Sequence, residues 1–344
     1  MKILVTGANG FIGSALCDRM SVNNTIIGVD IVAKSLNISA KIIWEQVDIS
    51  NLNSVVVLCE KYSPGVVIHC AGIAHQKIGV GGSSIYMRVN SEATENLAKS
   101  AAQYNPAVQF IFLSSVSVYG EGRERIGKEM LIAGVNEENE CQPSSDYAMS
   151  KLDAEKRLNI LCDKGIIRNL VILRLAPVYN REWSLNLDRR IFAPGKVAYL
   201  RFGSGSQRMS ALARPNLVDF IEFLIYRFQE LSQIEFTDDI GDDNLHNQCN
   251  MRINVCDATP YTFNTIIKVL RRSGIYRWRP VFLVPLFVVW LMTRIAGILF
   301  FNKKKWIHSC YNKLASDLVF DNERMAETGF KPRYSLGTIF NPQS

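Results

Sequence analysis

The sequence predicts an α/β chain built on a parallel, doubly wound sheet, with a smaller second lobe interleaved toward the C-terminus. Three observations carry that prediction. Short β-rich runs alternate with helical stretches through the first half of the 344 residues. A glycine-rich turn, Thr6-Gly-Ala-Asn-Gly-Phe-Ile-Gly13, joins the first strand to the first helix. After Leu175 the alternation stops, and Pro177, Pro194, Gly195, Gly203 and Gly205 mark an irregular stretch.

In chain order, strands are expected at Lys2–Thr6, Thr25–Asp30, Lys41–Asp48, Val66–Cys70, Gln109–Ser114 and Asn169–Leu175. Helical patterns begin between them near Gly13, Asn51, Ser91 and Tyr147. These elements place a nucleotide-binding domain at residues 1–176. It has later returns near 215–230 and 252–256, where Asn216–Glu230 reads as a helix and Arg252–Cys256 as a late strand. The second lobe takes 177–214 and 257–335. Sheets of this kind bind ligands at the carboxyl ends of their strands, and the motifs below lie there.

Apolar content of 48% and charged content of 21% describe a globular chain. The net charge of +7 suits an anionic ligand such as a diphosphate, or a membrane surface. The basic residues are scattered and no nucleic-acid module is recognisable, which argues against nucleic acid. Eight cysteines lack C-x-x-C pairs and zinc spacing, so no metal is expected and the thiols read as reduced, in a cytoplasmic protein. The chain opens on a strand, without the layout of a signal peptide.

The apolar stretch Val281–Phe301 contains Pro285, Thr293 and Arg294, and Lys303-Lys-Lys-Trp306 follows it. The proline and the interior arginine argue against a membrane span. The first reading is a buried or dimer-facing helix. The second is an interfacial helix anchored by Trp306 and the lysines, which would give 281–305 a peripheral membrane contact.

Gly7, Gly10 and Gly13 follow a strand and open a helix. Glycine lets backbone approach a pyrophosphate, and the helix N-terminus supplies N–H donors and a positive dipole end. Asn9, Phe11 and Ile12 complete the loop. Asp30 closes the second strand about 20 residues on, where a carboxylate binds ribose hydroxyls and repels a 2′-phosphate, favouring NAD over NADP. Asp48 and Ile49 end the next strand and can meet adenine. In His69-Cys-Ala-Gly72, the small Ala71 and Gly72 let a dinucleotide pass, and His69 reads as structural. His75, His246 and His308 show no partner pattern.

Leu113-Ser-Ser-Val-Ser-Val-Tyr-Gly120 places hydroxyls at a strand end. Tyr147 and Lys151 follow about thirty residues later, four apart at a helix start and so on one helix face. A tyrosine is a poor base at neutral pH until a nearby cation lowers its pKa. Lys151 is expected to do this, as is a positive nicotinamide ring. Together with the glycine turn, the pair predicts hydride transfer in a Rossmann-type NAD site.

These motifs resemble those of the extended short-chain dehydrogenase/reductases of the NAD-dependent epimerase/dehydratase family, over nearly the whole chain. The resemblance implies a Rossmann domain and a nucleotide-sugar substrate. It places the catalytic serine on Ser115, the catalytic pair on Tyr147 and Lys151, and a cofactor-side asparagine on Asn90. Ser117 falls beside the substrate. Leu173-Arg-Leu-Ala-Pro-Val-Tyr179, with Pro177 on the cofactor, is similar to the turn into the substrate lobe. Asn186 resembles a nucleotide-diphosphate contact and Arg208 a phosphate-binding arginine. Asn180 replaces a usual glycine, and Pro215 a usual aspartate.

The C-terminal motif from Ser316 to Pro332 is similar to the polysaccharide-biosynthesis (O-antigen) branch, which holds UDP-N-acetylhexosamine 4-epimerases and 4-keto-6-deoxysugar reductases. The activity implied is C4 epimerisation of a UDP-hexose or UDP-N-acetylhexosamine through a 4-keto intermediate. The alternatives are an NAD(P)H-dependent 4-keto reductase, and a non-catalytic NAD-binding sensor or assembly protein. Ser115-Val-Ser117 lacks the acidic pair that 4,6-dehydratases use. The resemblance also implies a homodimer formed through the helices starting near Ser91 and Tyr147.

Overall fold

A computed structural model of the chain describes residues 1–74, 82–120, 134–234, 250–274, 277–301, 307, 311–312 and 314–341. Lys2–Thr6 (β1), Thr25–Asp30 (β2), Ile43–Gln46 (β3), Val66–His69 (β4), Gln109–Ser115 (β5), Asn169–Leu175 (β6) and Asn250–Val255 (β7) form one sheet. Its order is β7-β6-β5-β4-β1-β2-β3. The pairs from β3 across to β5 are parallel. The strands read as near-continuous apolar runs because helices cover both faces. Chain order reverses between β1 and β4, which opens the crevice where such sheets bind ligands.

The fold class is as the sequence predicts; several strand boundaries differ, and the fourth and fifth strands end one residue away from the expected Cys70 and Ser114, at His69 and Ser115. The third strand is shorter than 41–48, because Asp48 leaves the ladder for a turn. Its Oδ1 accepts the Ser50 N–H (2.9 Å) and its carbonyl accepts the Asn51 N–H (3.0 Å). The late strand begins at Asn250 and ends at Val255.

Gly13–Met20 (α1), Leu52–Tyr62 (α2), Ala93–Tyr104 (α3) and Asp146–Asp163 (α4) pack on the sheet. Asn51 caps α2 by accepting from the Ser54 N–H (3.2 Å), and Ser145 caps α4 from the Ala148 N–H (3.3 Å). The helix expected near Ser91 is entered earlier, through a π-helical turn over Met87–Glu92 that buries Asn90 and Ser91. Leu4, Val67, Phe110 and Ile172 of the sheet meet Leu97, Ala98 and Ala101 of α3 and Leu158 of α4 in one core.

By its contacts the chain divides into two compact units. The first is Met1–Val118, Cys141–Arg174 and Val218–Ile253; the second is Tyr119–Glu140, Leu175–Leu217 and Asn254–Ser344. The sequence reading gives Tyr119–Glu140 to the first domain. Of that segment, the described residues 134–140 have partners more than 100 residues away. Val135 bridges Phe320 in parallel, and Glu137 Oε1 accepts the Asn254 N–H (2.6 Å).

The second unit carries short strand pairs: Val178–Tyr179 with Leu212–Ala213, Arg208–Met209 with Tyr261–Thr262, and Tyr199–Phe202 with Val281–Val284. Its buried hub is the Asp257 carboxylate, which accepts from Tyr179 Oη (2.7 Å), Tyr261 Oη (2.8 Å), Asn216 Nδ2 (2.7 Å) and the Ala213 N–H (2.8 Å). Asn180 needs no left-handed backbone; its Oδ1 accepts from Glu182 N (2.9 Å) and Trp183 N (2.7 Å). Pro215 stands in the first turn of Arg214–Ile234 (α5), where a missing N–H costs no helical bond.

Val281–Phe301 is not one helix. Pro285 divides it into the strand Val281–Val284 and a helix, Leu286–Leu299 (α6). The buried reading is overturned, since Gly297 alone among the α6 residues is buried. No helix among the described residues is long and apolar enough to cross a membrane. The six described cysteines are free thiols, and burial raises Cys17, Cys59 and Cys256 to about 12. His75, His246, His308, Lys303–Lys305 and Trp306 lie outside the described residues.

Candidate active site

The glycine turn is a cradle that side chains would fill. Gly7 has φ +66°, and a Cβ there would stand 2.9 Å from the Ala71 amide nitrogen. A Cβ on Gly13 would stand 2.1 Å from the Gly7 carbonyl oxygen, and one on Gly10 would stand 3.0 Å from it. The turn closes through Gly10 N–H to the Gly7 carbonyl (2.9 Å). Half-buried Phe11 and Ile12 lead into α1, which starts without a side-chain cap. The Ser14 N–H reaches back to the Gly10 carbonyl (3.0 Å), so the helical winding starts inside the glycine turn and its positive dipole end faces an anion there.

Asp30 ends β2 beside this turn. Its Oδ2 accepts the Asn9 N–H (2.9 Å), which fixes the carboxylate against the loop. The Asn9 side chain is used within the protein: Nδ2 donates to the Ala33 carbonyl (2.8 Å) and Oδ1 accepts the Ser35 N–H (3.0 Å). Ala71 and Gly72 follow β4, while Asp48 and Ile49 follow β3 with Ile49 buried. A close-approach glycine turn, an uncapped helix start and a carboxylate at the end of β2 fit the diphosphate and ribose of NAD.

Sheet register sets Val29, Thr6, His69 and Phe112 in one row across β2, β1, β4 and β5. His69 is fully buried, with Nδ1 at 2.7 Å from Thr6 Oγ1 and Nε2 at 2.8 Å from Thr94 Oγ1. Burial first, and then Lys151, lower its pKa to about 3, so the ring is neutral and ties β1, β4 and α3 together. Thr6 Oγ1 also accepts the Ala71 N–H (3.2 Å).

Asn90 is likewise fully buried, and its amide is committed to protein. Oδ1 accepts the Ile73 N–H (2.7 Å), and Nδ2 donates to the Ile73 carbonyl (3.0 Å) and to Ser150 Oγ (3.0 Å). It therefore pins the loop after β4 to α4. A Cβ on Gly72 would stand 3.1 Å from Asn90 Oδ1 and 3.5 Å from Lys151 Nζ, so the loop needs glycine at its closest approach.

Ser115, Ser117, Tyr147 and Lys151 all lie in the first unit. Ser117 Oγ donates to Ser115 Oγ (2.9 Å), and the Ser115 hydroxyl lies beside the Tyr147 phenol. Burial raises the Tyr147 pKa, and the neighbouring Ser115 hydroxyl opposes this. The expected lowering by Lys151 is not seen among the protein's own groups. Lys151 Nζ donates to the Leu113 carbonyl (2.8 Å) and lies 4.5 Å from the Phe112 ring centroid. Burial lowers its pKa to about 8, while Cys70 and Glu155 hold it up.

Sequence reasoning missed a buried pair behind this group. Glu155, one turn beyond Lys151 on α4, accepts from Arg174 Nη2 (2.6 Å) and from Ser114 Oγ (2.5 Å). Arg174 inside the apolar run Val171-Ile-Leu-Arg-Leu175 was the available signal, because an arginine in a buried strand requires a partner.

The remaining candidates lie in the second unit. Pro177 offers its carbonyl to the Leu212 N–H (3.0 Å). Arg208 is held by Asp317, which accepts from its Nε and its backbone N–H, each at 2.8 Å. Asn186 lies in the helix Leu185–Ile191, with its side chain outside what is described.

The model of the NAD dependent epimerase/dehydratase family matches residues 3–229. A UDP-glucose 4-epimerase of Vibrio cholerae is 31% identical over 241 residues, 69% of this chain and 70% of that protein. A dTDP-glucose 4,6-dehydratase of Haemophilus influenzae is 31% identical over 170 residues, 44% of this chain and 48% of that protein. Among solved structures, the UDP-glucose 4-epimerase of Thermotoga maritima, crystallised with UDP-glucose, superposes with a TM-score of 0.70 at 20% identity. That match covers 99% of this chain and 96% of the other.

Proposed function

This chain belongs to the NAD-dependent epimerase/dehydratase family, and we propose that within it the protein is a 4-epimerase of a nucleotide sugar. The substrate we assign is a UDP-hexose or UDP-N-acetylhexosamine, used in cell-surface polysaccharide biosynthesis. One observation carries the reading: the Ser117–Ser115 hydroxyl pair at the carboxyl end of β5, beside the Tyr147 phenol, with Lys151 one helical turn from Tyr147. The identity to a UDP-glucose 4-epimerase supports the choice of reaction.

NAD supplies the hydride acceptor and donor and, when oxidised, a positive charge that favours a phenolate. Tyr147 takes the proton of the C4 hydroxyl as that carbon is oxidised and returns it when the 4-keto sugar is reduced on its other face. Ser115, fed by the Ser117 hydroxyl, donates to the C4 oxygen as it becomes a carbonyl. An ammonium has three donors. Lys151 uses one on Leu113, leaving two for the nicotinamide ribose. A net-neutral cycle of this kind consumes no cofactor.

The 4,6-dehydratase relatives match under half of this chain, and Ser115-Val-Ser117 offers no acidic pair to eliminate water. The test is mass spectrometry of products from a panel of UDP- and dTDP-sugars, with and without added NAD(P)H. Isomerised product without net cofactor consumption is expected. Loss of water, or stoichiometric NAD(P)H use on a 4-keto sugar, would replace the epimerase reading. Tyr147→Phe should lower turnover by about 100-fold or more while NAD still binds; unchanged turnover refutes the assignment.

A further inference from the structure

The strip from Arg277 to Phe301 takes no part in the proposed chemistry, and its exposure is inverted. The side of α6 that meets its own unit is Leu286, Val289, Thr293, Ala296 and Gly297, at helical spacing. Its opposite side presents Phe287, Trp290, Leu291, Met292, Ile295 and Ile298, with Phe287 68% and Ile298 79% exposed. Phe282 and Leu283 of the neighbouring strand are exposed too, and Trp278 is 88% exposed. A helix on a globular domain ordinarily turns its apolar side inward. A contiguous apolar face left in water marks a surface that binds something.

Charge identifies the partner. Between Asp257 and Asp317 the sequence has ten lysines and arginines and no aspartate or glutamate. The Arg294 guanidinium lies 5.2 Å from the Trp290 ring centroid, and that of Arg277 lies 5.3 Å from that of Trp278. Paired in this way, an indole can enter an acyl boundary while its arginine stays among headgroup phosphates. A second copy on this face would bring two acid-free basic segments together. A span is excluded by length: the 14 residues of α6 reach only about 21 Å against a core of about 30 Å.

We propose that α6 and the Arg277–Val284 strip dock this protein on an anionic phospholipid surface, with the helix lying in the plane of the interface. The apolar side supplies insertion, and the basic segment selects for negative lipid.

The test is co-sedimentation of the full chain with vesicles of phosphatidylcholine alone, or of phosphatidylcholine with a third phosphatidylglycerol. Binding at least about tenfold stronger to the anionic vesicles, weakened by salt, is expected. The triple variant Phe287→Asp/Leu291→Asp/Ile298→Asp should lose that binding about tenfold or more while keeping its thermal midpoint and its NAD binding, because all three side chains face solvent. Equal binding to both lipids, no binding to either, or undiminished binding by the variant overturns the proposal. So does a variant whose oligomeric state falls without vesicles present, which would make this face an interface between copies.

Discussion

Lys151 shows what the site demands of a single residue. Its side chain is only 4% exposed, and burial brings the ammonium down to about 8 from the 10.5 it has in the open chain. The unfolded chain therefore holds more protons than the folded one between those values, so stability rises with pH through that window. Below about pH 8 the full cost of burying the cation is present. Lys151→Met removes this dependence. Urea unfolding of wild type and variant should show their stability difference moving by about 2 kcal/mol in favour of wild type between roughly pH 8 and pH 10. A difference that stays flat would mean that Lys151 is not held as a strained cation. The lysine's place in the site was legible from its spacing to Tyr147. Its carbonyl partner was not, because Leu113 lies 38 residues away on another element.

At the scale of elements, α4 carries Tyr147, Lys151 and Glu155 on one stripe, four residues apart, and Glu155 sets the helix against the sheet. Its pair with Arg174 is 2% exposed on both sides, and Ser114, next to Ser115, donates to the same carboxylate. Truncating one partner of such a buried pair leaves the other charge without compensation and costs about 3–5 kcal/mol. Glu155→Leu should cost that much in chemical denaturation, and adding Arg174→Met should recover a large part of it. A loss below about 1 kcal/mol for the single variant would show that Arg174 has other support.

The helix and its register were readable because a 3.6-residue period is a local signal. The π-helical turn before α3 was not, because it is fixed by Asn90 reaching Ile73 and Ser150, and no periodicity encodes such tertiary partners. Pro285 is visible in the sequence, but the strand before it is not, because pairing with Tyr199–Phe202 is a tertiary contact.

For the whole molecule, the doubly wound class and the carboxyl-edge position of Gly7, Asp30, Gly72 and Ser115 followed from alternation of strands and helices, since such a sheet collects those ends along one edge. The second unit's internal wiring, such as Glu137 to Asn254, did not follow, because it joins distant and irregular segments.

The edge makes cofactor choice a measurable property of the entire fold. A ligand that binds only the folded chain stabilises it by about 2.7 kcal/mol at a hundredfold excess over its Kd. NAD should therefore raise the thermal midpoint. NADP at the same concentration should raise it less, because a 2′-phosphate would meet the Asp30 carboxylate. That carboxylate is already fixed by the Asn9 N–H, so moving it aside would cost a hydrogen bond to the glycine loop. Asp30→Asn keeps an acceptor for Asn9 and removes the charge, so the NAD–NADP gap should narrow without loss of the fold. If NADP stabilised the wild-type chain as strongly as NAD, Asp30 would have no part in selecting the cofactor. If the Asn variant kept the full gap, selection would come from the shape of the loop and not from its charge.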